Sequence, residues 1–376
     1  MTANTTTKAG RLISLDVMRG MTMASMILVN NPGNWNAVFA PLRHATWHGC
    51  TFTDLVFPFF LFMVGAALPF SLENKSELSK RHKLVNKILV RGAALFAIGF
   101  VLGLLPDVLW NPSSILAARI PGVLQRIAIC YVVVALLSLL FSPAVQWSLS
   151  LLLVCIYSVG MLFVPVPAVG AGSFEVEGNL CWWIDNQILL GHTYSGSPAA
   201  GFDPEGVWST LTAIAGTQFG YFAGRVLLQQ GEPYRKVTTL FIWGQCALLA
   251  GYIASFWMPI NKQLWTTSYL FLVTGLALNF LALLYYTIEI RQWRCGISFW
   301  LVFGTSSIVA YVLSNVLGDF AGVVHIGELS LKSWVTRHFQ IVLTPKAASL
   351  AWSVAFVLLC WALMWPPYRA KWRIKI

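Results

Sequence analysis

Apolar runs of about 20 residues, separated by short polar stretches, recur along almost the whole chain. A helix needs about that length of apolar residues to cross a bilayer. Runs of this kind cover 12–31, 53–72, 88–105, 122–141, 147–166, 208–229, 237–256, 265–286, 298–317 and 349–366. The pattern predicts an all-α polytopic membrane protein of about ten transmembrane helices. Residues 320–345 are amphipathic and predict an interfacial or re-entrant segment. The polar, basic stretch before residue 12 is not followed by a small-residue cleavage site, so 12–31 reads as a retained first span. No internal repeat is visible, which weighs against transporter folds built from two related halves.

Composition sharpens this picture. The 376 residues are 57% hydrophobic and 10% charged, against about 25% charged in soluble domains. No stretch has soluble composition, so 1–376 is expected to be one transmembrane domain. The net charge of +11 points to topology rather than to nucleic acid. Basic residues gather at Lys8 and Arg11, at Lys75, Lys80, Arg81, Lys83 and Lys87, at Arg235 and Lys236, at Arg291 and Arg294, and in the tail from Arg369 to Lys375. Residues 167–207 contain no Lys or Arg and carry Glu175, Glu177, Asp185, Asp203 and Glu205. The positive-inside rule then puts both termini in the cytoplasm and makes 167–207 a large extracytoplasmic loop. Most of the 17 Trp are expected at the membrane interfaces. The seven Cys show no metal-binding spacing, so no metal is expected. They read as small buried hydrophobes, with a Cys50–Cys181 bridge as an alternative.

Against this background a few polar side chains stand out. His44 and Asp54 flank the start of the second apolar run, at what the topology makes the outer boundary. An ionisable residue there is costly unless it works. A histidine can take a proton from an amine, and a carboxylate can hold its tautomer and stabilise the imidazolium. Asn30 closes the first run, as a cap or as a group that orients a substrate. Asp16 and Arg19 share one helix face, as an ion pair that fixes the first span or with Arg19 contacting an anionic ligand from the cytoplasmic side. Arg126 enters an apolar run and calls for a carboxylate or a phosphate. Asp203 and Glu205 form an acidic turn before one span, and Glu205 also suits a helix N-terminus. Lys262 precedes another span, either snorkelling or binding an acidic group. Dinucleotide-binding, Walker A and HEXXH motifs are absent.

These segments, taken in order, resemble the heparan-alpha-glucosaminide N-acetyltransferase family of transmembrane acyltransferases. The resemblance rests on Arg11 to Gly20, His44-Ala45-Thr46-Trp47, Thr53 to Phe59, Leu124-Gln125-Arg126-Ile127, Asp203-Pro204-Glu205-Gly206 and Asn261 to Tyr269. It implies a membrane enzyme that takes an acetyl group from cytosolic acetyl-CoA and passes it to a sugar amine on the far side. It implies His44 as the catalytic residue, with Asp54 and Asn30 at the same site. His44 is then either acetylated itself or a base within a ternary complex. Arg126, Arg19 and Trp47 are assigned to the donor, acetyl-CoA. Glu205, Asp203 and Lys262 are assigned to a glucosamine-type acceptor. Lysosomal members carry a further lumenal domain and span. This chain is therefore expected to be a compact bacterial form in the inner membrane, with an envelope or chitin-derived amino sugar as acceptor. Membrane lipids are the other expected partners, and a homodimer is left open. The competing expectation is an amino-sugar transporter without chemistry.

Overall fold

A computed structural model describes residues 12–72, 81–110 and 118–371. Lys8, Arg11, Lys75, Lys80, Arg373 and Lys375 of the basic clusters lie outside the described residues. Among the described residues the fold is all-α apart from one small hairpin. The helices are α1 (Ile13–Asn30), α2 (Phe52–Leu72), α3 (Arg81–Trp110), α4 (Val123–Leu140), α5 (Pro143–Phe163), α6 (Leu180–Leu189) and α7 (Ser209–Leu228). They continue as α8 (Pro233–Ala254), α9 (Thr267–Tyr285), α10 (Ile297–Thr305), α11 (Ser307–Val323), α12 (Leu331–Phe339) and α13 (Pro345–Arg369). The hairpin pairs β1 (His325–Ile326) with β2 (Leu329–Ser330).

Every expected span falls on helix. Among the described residues, however, seven helices are long and apolar enough to cross a bilayer, or eight if α10 and α11 count as one bent span. The difference from ten has a physical cause. α1 and α7 carry Ser, Thr, Gln and, in α1, Asp16 and Arg19, and most of their residues are buried inside the bundle. A helix wrapped by protein need not be apolar, because its polar groups face neighbours rather than lipid. The chain is thus an integral, multi-pass membrane protein in which α1 and α7 keep their polar residues among neighbouring helices.

The run over 298–317, expected as one span, is broken. α10 and α11 meet at an 85° bend. α10 is pinned backbone-to-backbone on α1: a Cβ added at Gly304 would lie 1.9 Å from the Asp16 carbonyl, and one at Gly20 would lie 1.9 Å from that of Trp300. Arg19 Nη1 donates to the Gly304 carbonyl at 3.3 Å, an oxygen that a continuing helix would use itself. The segment expected to be interfacial resolves into the end of α11, the hairpin and α12.

α2 also packs backbone-to-backbone, against α7. Side chains at Gly65 and Gly220 would strike the Thr217 and Phe62 carbonyls at 1.9 and 2.1 Å. Close backbone approach at small residues is how helices associate where lipid is as apolar as leucine. This contact fixes α2, and with it Asp54 in its first turn. Around that helix end several loops converge. Gly49 N–H bonds the Ile260 carbonyl at 2.7 Å, Ile120 N–H that of His192 at 3.1 Å, and Trp47 Nε1 that of Phe174 at 2.8 Å. One end of the bundle is therefore a knitted cap of loops, and His44, Asp203, Glu205 and Lys262 lie in it.

Candidate active site

The motif Asp54-Leu55-Val56-Phe57-Pro58 builds its own corner. Thr51 precedes α2, and its N–H donates to Asp54 Oδ2 at 2.9 Å. This is the reciprocal arrangement of a helix-start box, in which a carboxylate three residues on satisfies an orphan N–H. The Ala45 N–H reaches the same oxygen at 3.0 Å, and the Thr51 hydroxyl lies 3.0 Å from it. The other oxygen, Oδ1, lies 2.6 Å from His44 Nδ1. The Asp54 side chain is 1% exposed, while that of His44 is 47% exposed. Pro58 has no N–H, so the Asp54 carbonyl loses its helical partner. Tyr269 OH fills that place at 2.5 Å.

The geometry assigns a tautomer. An ionised carboxylate only accepts, so a 2.6 Å contact puts the proton on His44 Nδ1. Nε2 is then the nitrogen with a free lone pair. Among the described residues nothing bonds it, and it belongs to the half-exposed face of the ring. A buried carboxylate, an oriented imidazole and an open nitrogen are the parts of a general base or an acyl acceptor. Cys50, the nearby alternative nucleophile, is held as a thiol: burial, with the Asp54 charge, pushes it up to about 12. Cys50 and Cys181 are both free, so the alternative bridge does not form.

Lys262 joins this corner to a second cluster. Its Nζ lies 3.3 Å from His44 Nδ1. Burial lowers its ammonium pKa, against the pull of Glu205 and Asp54. The loop that presents it is built by Asn261, fully buried, whose Oδ1 takes the Leu264 N–H at 2.9 Å. Thr266 Oγ1 closes the turn by accepting the Asn261 N–H at 3.1 Å. Trp265 packs beneath, edge-on to Phe57 and Tyr269.

In the second cluster Arg119 grips Asp203 with two bonds, at 2.8 and 2.6 Å, and also bonds Glu205. Asp185 holds the acidic turn from below, accepting the Val207 and Asp203 N–H groups at 2.9 and 3.2 Å. Burial pushes the Asp185 carboxyl up to about 7 against those two bonds. Burial opposes the ionised form of Glu205 too, but Arg119, Arg126 and Lys262 outweigh it and hold that carboxyl below its ordinary range. Arg126 is 1% exposed and spans Gly206 O at 3.0 Å and Ser209 Oγ at 2.5 Å. Its guanidinium lies over the Trp265 ring. Among the described residues, Nε and Nη1 of Arg126 have no partner.

The structure therefore brings together His44, Asp54 and Lys262 in direct contact, with Glu205, Asp203 and Arg126 beside them. The remaining candidates stand elsewhere. Asn30 lines a polar cavity beside α11 and makes no hydrogen bond to His44 or Asp54. Trp47 is engaged by the Phe174 carbonyl and packs edge-on to Phe202, 5.7 Å between ring centres. Arg19 pairs with Asp16 at 3.1 Å, about 16 Å along α1 from Asn30. Arg119 and Asp185 were missed in the sequence. Arg119 had a signal: it is a cation on the side where the positive-inside rule expects few.

Comparison with known proteins fits this geometry. Residues 11–183 match the family described as Heparan-alpha-glucosaminide N-acetyltransferase, catalytic. The human protein named heparan-alpha-glucosaminide N-acetyltransferase is 30% identical over 82% of this chain and 53% of its own length. The mouse protein of that name is 29% identical over 83% of this chain and 54% of its own. The chain spans about half the length of these curated relatives. The matched stretch contains both His44 and Asp54. The chain is thus similar to the heparan-alpha-glucosaminide N-acetyltransferases, and its similarity to that family's catalytic region runs over residues 11–183.

Proposed function

We propose that this protein transfers an acetyl group from cytosolic acetyl-CoA to the amine of a glucosamine-type sugar on the opposite side of the membrane. The observation that carries the reading is the 2.6 Å contact between buried Asp54 and His44, which leaves His44 Nε2 open. The N-acetyltransferases that the chain resembles support it. In this reading the bundle has ten spans with both termini cytoplasmic, in a bacterial inner membrane. The loop cap then faces outward and the basic ends face the anionic donor.

The chemistry follows from the tautomer. The sugar amine attacks the thioester carbonyl of acetyl-CoA, a C–N bond forms, and CoA leaves as the thiolate. His44 Nε2 takes the proton that the amine loses, and Asp54 stabilises the resulting imidazolium. If His44 is acetylated first, Nε2 forms a C–N bond to the acetyl carbon as the C–S bond breaks and CoA leaves as the thiolate. The amine then attacks that carbon, the bond to Nε2 breaks, and Nε2 takes the amine's proton. Arg126, with the N–H groups of two nitrogens left over, is suited to an anionic oxygen of the donor. Asp203, Glu205 and Lys262 border the acceptor's approach.

The test is direct. Purified protein in detergent is incubated with acetyl-labelled acetyl-CoA, with and without glucosamine. Labelled N-acetylglucosamine that appears only when both are present supports the reading. Labelled donor left intact beside the sugar overturns it.

A further inference from the structure

Apart from the His44 corner, the bundle holds a cavity of about 230 Å³ between α1, α11, α12 and α13. Tyr311, Asn315, Gly318 and Asp319 line it from one face of α11, as the spacing i, i+4, i+7, i+8 requires. Polar side chains on such a face are expensive in a membrane protein and mark function. Their bonding is incomplete. Among the described residues neither the Asp319 carboxylate nor the Lys332 ammonium, both lining this cavity, has a hydrogen bond or an ion pair. Burial lowers the Lys332 ammonium pKa. Trp352, 8% exposed, also lines the cavity, and among the described residues its indole N–H has no acceptor. A buried donor without an acceptor costs free energy comparable to a lost hydrogen bond unless something fills the place.

The chemistry of the lining selects a ligand. It offers a carboxylate acceptor, an ammonium, an indole N–H and amide groups around an aromatic wall. A compact ring with many hydroxyls and an amine matches this set. The volume lies just under the usual range of about 300–1,000 Å³ for small-molecule sites, so one ring fits and a chain of rings does not. Asn30 lines the same cavity.

We propose that this cavity seats the ring of the acceptor, a single hexosamine unit. Asp319 accepts from its hydroxyl or ammonium groups, while Lys332 and the Trp352 indole N–H donate to its oxygens. This deepens, and rests on, the reading of the chain as an amino-sugar acetyltransferase.

Glucosamine is titrated into purified wild-type protein, Asp319→Asn and Lys332→Met, with binding read by calorimetry and by tryptophan fluorescence. The KM values for glucosamine and for acetyl-CoA are measured alongside. Each removed charge is expected to weaken glucosamine binding about tenfold, the loss of one hydrogen bond to a charged group. The acetyl-CoA KM stays unchanged. Unaltered glucosamine binding in both variants, or a raised acetyl-CoA KM with the sugar unaffected, overturns the site. So does a wild-type protein that binds no sugar. If the wild type binds glucosamine in this cavity but transfers nothing, the site stands and the acetyltransferase reading falls. If transfer occurs and neither variant changes the sugar KM, the reading stands and the site falls. Lys332 lies on a short peripheral helix, so Lys332→Met keeps the test open should Asp319→Asn fail to fold.

Discussion

Asp54 and Asp319 are the same chemical group in two opposite conditions. Asp54 is fully buried and saturated, with two backbone N–H groups, the Thr51 hydroxyl and His44 Nδ1 around its two oxygens. Asp319 lines a cavity, and among the described residues nothing engages its carboxylate. A saturated carboxylate has no capacity left for a ligand; it can only hold its partner in place. An unsaturated one can bind. The fold has completed one and left the other open; in the proposed reading the first orients the chemistry and the second meets the substrate.

The sharpest way to break the contrast is Asp54→Asn. The amide cannot stabilise an imidazolium and favours the wrong tautomer, so kcat should fall by about 10²–10³. The glucosamine KM should stay nearly constant, the reverse of the pattern expected at Asp319. The same change weakens the helix-start box and should lower stability by about 1 kcal/mol. Steady-state kinetics and thermal melts of the detergent-solubilised protein check both. A smaller effect is expected from Tyr269→Phe. It strips the hydroxyl from the carbonyl that Pro58 freed, which costs about 1 kcal/mol. Activity should drop a few-fold, because the Asp54 carbonyl is left unpaired and α2's first turn loosens.

The smallest effect lies in pH dependence, at Asp185. Its carboxyl sits at about 7 in the folded protein, above its ordinary value near 4. The folded state therefore binds this proton more tightly than the unfolded state. The associated stability is fully present at pH 4 and is lost as pH rises to about 7. Asp185→Asn removes that loss, so the melting temperature of the wild type relative to the variant should decline by a few degrees across this window. A difference that is flat with pH would mean that Asp185 is ionised throughout.

What the sequence revealed follows from how each signal is encoded. Spans are written in consecutive residues, so their positions were legible to within a few residues. The His44–Asp54 pair was legible as two expensive residues at one boundary, but the contact itself needed the turn that Thr51 and Ala45 build. The bend between α10 and α11 was not legible. It depends on Gly304 meeting Gly20's helix, a contact between residues far apart in sequence. Arg119 was hidden because its partners, Asp203 and Glu205, come from a loop brought back across the cap. Asp319 and Lys332 sat in a stretch read only as amphipathic, where no local pattern announces a cavity. Trp47 shows the converse. It stands in the most telling motif, yet its indole is spent on holding the 167–207 loop.

The central claim is that His44, oriented by Asp54, is the reacting group. The direct measurement is the rate of acetyl transfer from labelled acetyl-CoA to glucosamine by wild type and His44→Ala in the same detergent. Circular dichroism and melting confirm that both are folded. The account predicts that the folded variant loses at least about 10³-fold in rate. A folded His44→Ala protein that transfers acetyl within a few-fold of the wild type contradicts it.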